Sequence, residues 1–175
     1  VAHEFGHAIH HQRGWVKRNG YVNPLIREMI DKQKKSFKIV GETTDQQIDR
    51  LRRRFYFGNK TKKRMTRSEL NLYNDFVKHL EETRAKFPNM TDKEFMGHFS
   101  SMTDYIGGIF KGKVGWGHSM AYMKSSNRGA REIFAHMVEN KYVGNPVFKK
   151  LYPSIYKESI EVLEKLINQY NLKKP

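Results

Sequence analysis

The chain has no cysteine among its 175 residues, which excludes disulfide frameworks, thiolate zinc clusters and cysteine nucleophiles. Any metal it binds must therefore rest on histidine and carboxylate. Acidic side chains are scarce too: 18 Asp and Glu stand against 33 Lys and Arg, a formal charge of +15. No apolar run approaches the roughly 18 residues of a membrane-spanning helix, so no membrane partner is expected and the chain should be soluble. No charged-then-apolar leader opens it, and its location is unreadable. What the sequence does contain is 38% hydrophobic and 13% aromatic residues, too many for a disordered basic tail. One folded cationic domain over 1–175 is expected, with a basic elaboration at about 45–67.

With only five prolines, helical periodicity runs through most of the chain. Val1 to Gln12 reads as an amphipathic helix, with Val1, Phe5, Ala8 and Ile9 on one side and His3, Glu4, His7, His10 and His11 on the other. Because the chain opens at Val1, inside this helix, it is expected to be an excised or processed fragment. Further helices are predicted at Pro24–Lys35, burying Leu25, Met29 and Ile30, and at Thr44–Arg54. Another is predicted from Ser68 to about Lys86, with Leu70, Tyr73, Val77 and Leu80 as its inner face. Thr91 and Glu94 form a capping box for a helix through Phe95, Phe99 and Met102 towards Tyr105. The glycine-rich stretch Gly107–Gly117, GGIFKGKVGWG, is expected to be a small hairpin or tight loop. Ser126 or Asn127 caps a helix to about Tyr142, which Gly144-Asn145-Pro146 ends; a last helix, Pro153 to about Tyr170, carries Ile155, Ile160, Leu163 and Ile167. The fold class is mainly α.

The pattern His3-Glu4-Phe5-Gly6-His7 is H-E-x-x-H. On a helix its two imidazoles stand one turn apart on one face and can chelate one zinc ion (Zn2+), while the glutamate between them stays free to hold a water. The ordinary alternative is a solvated polar face. Against it, the residues around the motif are uncharged, and four of the eight histidines fall within the first eleven positions. A third protein ligand is required. A third histidine in the longer H-E-x-x-H-x-x-G-x-x-H pattern is excluded, since His10 takes the glycine position and Arg13 the ligand position. A carboxylate on a second helix is then favoured, and Glu132 is the best candidate. It shares a face with Ala135, His136 and Glu139, and Ala135 would let a neighbouring helix approach closely. Glu94, Glu81, Asp45 and Asp104 are weaker alternatives. His136, one turn beyond Glu132, is either a group hydrogen-bonding a ligand or an ordinary polar-face histidine.

These residues resemble the zincin metallopeptidases whose third ligand is glutamate. The chain is similar to the catalytic domain of anthrax lethal factor and to zincin-like domains of phage head-morphogenesis (minor head) proteins. The resemblance rests on HEFGHAIHH, GKVGWGHSMAYMK, NRGAREIFAHMV and NPVFKKLYPSIYKESIEVLEKLI; residues from about Asn19 to Phe87 match nothing in these families. It implies His3, His7 and Glu132 as zinc ligands, Glu4 as general base, and hydrolysis of a peptide bond in a protein or peptide substrate. It also implies a tyrosine that stabilises the oxyanion, for which Tyr122 is the nearest equivalent, with His118 competing for the role. The families place a small β-sheet before the H-E-x-x-H helix, so the expected α+β zincin fold would here lack its sheet. Virion-associated, bacterial cytoplasmic and secreted locations all agree with the resemblance.

Nine of the positive charges lie between Arg50 and Arg67 with no acidic residue among them, and Phe55-Tyr56-Phe57 sits in their midst. Arg52, Arg53, Arg54, Lys60, Lys62, Lys63 and Arg64 would be the contacts of a nucleic-acid partner, cations for phosphates and aromatics for bases. The plainer reading is a solvated loop anchored by its aromatics. Two alternatives to a metallopeptidase follow: a catalytically silent zincin-fold domain with a structural or interaction role in a phage or mobile-element protein, and a basic nucleic-acid-binding module.

Overall fold

Eight helices make up nearly all the regular structure in the computed structural model, which describes residues 1–17, 19–37, 66–113, 118 and 120–171. They are α1 (Ala2–Arg13), α2 (Pro24–Ser36), α3 (Arg67–Ala85), α4 (Asp92–Ile109), α5 (Met120–Lys124), α6 (Arg128–Tyr142), α7 (Pro146–Leu151) and α8 (Pro153–Asn171). The fold is mainly helical. Among the described residues the only β pairing is an isolated antiparallel bridge between Val16 and Val22, in the turn that joins α1 to α2. The predicted helix Thr44–Arg54, the basic segment from Arg50 to Arg64 and Asp45 lie outside the described residues.

The chain divides into two compact units. One is built from Val1–Ile39 and His98–Pro175, the other from Val40–Gly97. In the second, Arg84 organises the turn between α3 and α4: its guanidinium bonds Asp92 at 2.8 Å, the Phe87 carbonyl at 2.6 Å and the Met90 carbonyl. The capping box forms as its sequence requires. The Glu94 carboxylate accepts from the Thr91 amide at 2.8 Å, and the Thr91 hydroxyl accepts from the Glu94 amide at 3.2 Å. On α3, Leu70 is exposed rather than inward-facing, and the Tyr73 side chain is outside the described set.

In the first unit α6 is the central element. Ile133, Phe134, Met137 and Val138 are buried on its apolar side, and Glu132, Ala135 and His136 are buried on its polar side as well. Both faces meet other helices. Gly108 of α4 touches α6 backbone to backbone: a Cβ on Gly108 would lie 2.6 Å from the Gly129 carbonyl, and one on Gly129 would lie 2.8 Å from that of Gly108. This explains why the glycine pair 107–108, predicted to start a loop, instead ends a helix. The missing side chains let two helices pack at backbone distance. Of the expected hairpin, residues 114–117 lie outside the described set. Elsewhere the buried faces shift by a residue from those predicted. On α2 they are Ile26, Met29 and Gln33, with Leu25 and Ile30 at the border, because the Gln33 amide satisfies the Tyr105 hydroxyl at 2.8 Å inside the core. On α8, Ile155 and Leu163 are buried as expected, but Tyr156, Ser159, Val162 and Leu166 join them in place of Ile160 and Ile167.

Candidate metal centre

Helix α1 packs with its polar side inward, the reverse of the hydrophobic prediction. Val1, Phe5 and Ala8 are exposed, Phe5 by 58%, whereas Gly6 and His10 are buried and His3 and His7 half-buried. The cause is Gly6. A Cβ there would stand 2.7 Å from the Ala135 Cα, so α1 and α6 touch through two positions with almost no side chain. Ala135 thus serves the close approach expected of it. The imidazoles one turn apart on either side of Gly6 then lie across the polar face of α6, where a buried carboxylate needs partners more than methyl groups need cover.

That carboxylate is Glu132. Its Oε2 lies 3.2 Å from His3 Nε2 and 3.3 Å from His7 Nε2, with the Glu132 side chain 2% exposed. Neither nitrogen makes a regular hydrogen bond to it, and Oε2 is a buried acceptor without a hydrogen-bond partner. The spacing suits a shared cation. Tetrahedral zinc with bonds of about 2.0–2.1 Å sets its donors roughly 3.3–3.4 Å apart, close to both separations. Burial pushes the Glu132 carboxyl up, but His3, His7 and the Tyr122 hydroxyl outweigh it and hold the group far below the usual carboxylate range. It is an anion.

Two further groupings of possible ligands, His3 with His136 and Glu139, and Asp104 with Glu132 and His136, draw on His136. That ring has no lone pair to give. Its Nδ1 is 2.8 Å from Glu139 and its Nε2 is 3.2 Å from Asp104. Burial pulls its pKa down, yet the hydrogen bonds to Asp104 and Glu139 prevail and raise it to about 9. His136 is an imidazolium between two carboxylates. Its ring lies 4.4 Å from that of His3, so it braces the centre instead of joining it. Among the described residues only His3, His7 and Glu132 combine convergent donors with available lone pairs.

Around this core the neighbouring groups fix tautomers and orientations. His10 has its pKa lowered to about 4, by burial first and by the charges of His7 and Arg131 next, so it is neutral. Its Nε2 lies 3.3 Å from His7 Nδ1. A lone pair there can accept a proton from His7 Nδ1, the tautomer in which His7 turns a bare Nε2 to a metal. On the other side Tyr122 donates to Glu132 Oε1 at 2.6 Å. Its hydroxyl pKa is raised to about 12, by burial and then by that carboxylate. His118 stacks on the Tyr122 ring at 4.1 Å and directs Nδ1 to Asp104 at 2.9 Å. The hydrogen bond to Asp104 raises the His118 pKa above the ordinary histidine value against the opposing effect of burial. Asp104, weighed above as a ligand, instead bridges His118 and His136. Glu4, at the rim, is exposed.

The structure therefore brings together His3, His7, Tyr122, His118, Glu132 and His136, drawn from α1, α5, α6 and the turn two residues before α5, with Glu4 exposed beside His3 on α1. Glu94 and Glu81 are exposed and belong to the other unit. The sequence put His10 on the polar face without giving it a role, and gave no sign of what Gly6 does or of Ser101, whose hydroxyl donates to Glu139 at 2.8 Å. Ser101, Asp104 and Gly108 of α4 meet Glu139, His136 and Gly129 of α6 in reverse order, so the two helices run antiparallel here. No protein-family model, curated protein or solved structure matches the chain.

Proposed function

We propose that the chain is a zinc-dependent metallopeptidase of the glutamate zincin kind, with zinc held by His3, His7 and Glu132. One observation supports this above the rest: a buried, ionised carboxylate oxygen faces two imidazole nitrogens at metal-ligand spacing without being hydrogen-bonded by either. Zinc on two histidines and a carboxylate supplies a Lewis acid for a carbonyl oxygen and lowers the pKa of water to about 7.

The chain's own residues account for the proton traffic. Glu4 follows His3 on α1 and is exposed where substrate would lie. It accepts a proton from the attacking water and returns it to the leaving amine, a role worth about 10²- to 10⁴-fold in rate. Tyr122, whose hydroxyl is committed to Glu132, orients that carboxylate. His118 is the better group for the developing oxyanion, because Asp104 fixes its Nδ1 side and favours the protonated, donating ring.

The decisive experiment pairs metal analysis with peptide hydrolysis. Purified protein is expected to carry one zinc per chain by atomic absorption and to cleave a mixed peptide pool followed by mass spectrometry. Glu4→Gln should retain the zinc and lose at least about 100-fold in rate, and Glu132→Ala should lose the zinc. Unchanged cleavage in Glu4→Gln, or no stoichiometric zinc in the parent protein, overturns the proposal. Zinc without cleavage would return the reading of a silent zincin fold.

A further inference from the structure

Two cations beside the centre are not used by the chemistry above. Arg128 opens α6 one turn before Glu132, and its guanidinium lies over the Tyr122 ring, 4.5 Å from the centroid. Because the Tyr122 hydroxyl reaches Glu132, this guanidinium stands within about 10 Å of the Glu132 carboxylate, as the length of a tyrosine ring and the two contacts require. Arg131 precedes Glu132 directly, and its charge acts on both Tyr122 and His10. Both side chains are half-buried. Neither has a carboxylate partner among the described residues, and the Arg131 Nε is buried with no hydrogen-bond partner.

Half-burying two guanidinium ions one helical turn apart costs solvation that an ion pair normally offsets. Here the nearby carboxylates are otherwise engaged: Glu132 with the histidines, and Asp104 and Glu139 with His118 and His136. A guanidinium that lies over a ring by one face keeps its N–H groups in its own plane, where they can take a carboxylate in bidentate fashion, and Arg128 lies over Tyr122 in this way. We propose that Arg128 and Arg131 form a recognition site for an acidic side chain of the substrate. An extended peptide advances about 3.3–3.4 Å per residue, so this Asp or Glu falls within about three residues of the scissile bond. The inference rests on the metallopeptidase reading and names the substrate class for that site.

The test uses binding as well as cleavage. A labelled, otherwise neutral degenerate peptide library with one fixed Glu is titrated into the Glu4→Gln protein by fluorescence polarisation, beside the same library with Gln at that position. The Glu library is expected to bind about tenfold tighter, with the difference shrinking as salt is raised. In the Arg128→Gln, Arg131→Gln double variant the two libraries should bind alike, and retained zinc would show that the centre is intact. Equal binding of the two libraries to Glu4→Gln overturns the proposal even if the double variant fails to fold. Cleavage of the mixed pool by the parent protein reads the same point independently. Enrichment of Asp and Glu within three residues of cut bonds supports the proposal. Cleavage without enrichment refutes it and leaves the metallopeptidase reading standing, whereas absence of both zinc and cleavage refutes that reading itself.

Discussion

At the scale of the residue, the centre depends on side chains that are not there. Gly6 allows α1 to meet Ala135 at backbone distance, and the atoms it would strike, Ala135 Cα at 2.7 Å and the Ala135 carbonyl at 3.1 Å, belong to a helix that cannot yield. Gly6→Ala is expected to cost about 1–3 kcal/mol in denaturant unfolding and to weaken zinc binding, though it touches no ligand. Gly97→Ala is the matched control. It lies within α4 with nothing inside 4 Å of a new Cβ, and it should gain about 0.5–1 kcal/mol from helix propensity alone. The convergence of His3, His7 and Glu132 was legible because a four-residue spacing puts both histidines on one helix face and the polar side of the later helix singled out its glutamate. The packing of α1 was not. Hydrophobic periodicity predicts Phe5 inside, and only a buried carboxylate on a helix more than a hundred residues away reverses it. Asp104 shows the same limit, since its bridging of His118 and His136 depends on a helix crossing that no local pattern encodes.

At the scale of the element, the caps separate what is exposed from what is built into the core. Asn145 accepts the Phe148 amide at 2.9 Å to start α7 and donates to the His98 carbonyl at 2.8 Å from a buried position. Thr91 caps α4 in the open. Asn145→Ala should therefore lose about 2 kcal/mol or more, at or beyond the top of the usual cap range, and Thr91→Ala roughly 0.5–1 kcal/mol, both read from chemical denaturation at constant m-value. The capping box was legible in Thr91 and Glu94 because its geometry is entirely local. Asn145-Pro146 was read only as a terminator, yet the same pair supplies an N-cap and a proline at the first helical position. Punctuation that ends one helix begins the next when the intervening turn is only three residues long. Glycines 107 and 108 misled in the opposite sense: conformational freedom suggested a loop, while the structure uses their small size.

At the scale of the whole molecule, no helix among the described residues is long and apolar enough to cross a membrane, and the proposed zinc is the chief external ligand the folded state would add. A ligand that binds only the native form at a free concentration of 1,000 times its Kd contributes about 4 kcal/mol. Calorimetry of the zinc-loaded protein against the chelated protein should thus show a rise of several degrees in Tm. Glu4→Gln should keep this rise, and Glu132→Ala should abolish it. Such a gain is largest where a cross-link spans much chain. Between His7 and Glu132 lie about 125 residues, so docking α1 on α6 closes a long loop before any contact rewards it. That step belongs late in refolding, after α6 has found α4 and α8. A kinetic trace should contain a slow phase that zinc accelerates little but makes hard to reverse, because the ion can act only once the two helices have met.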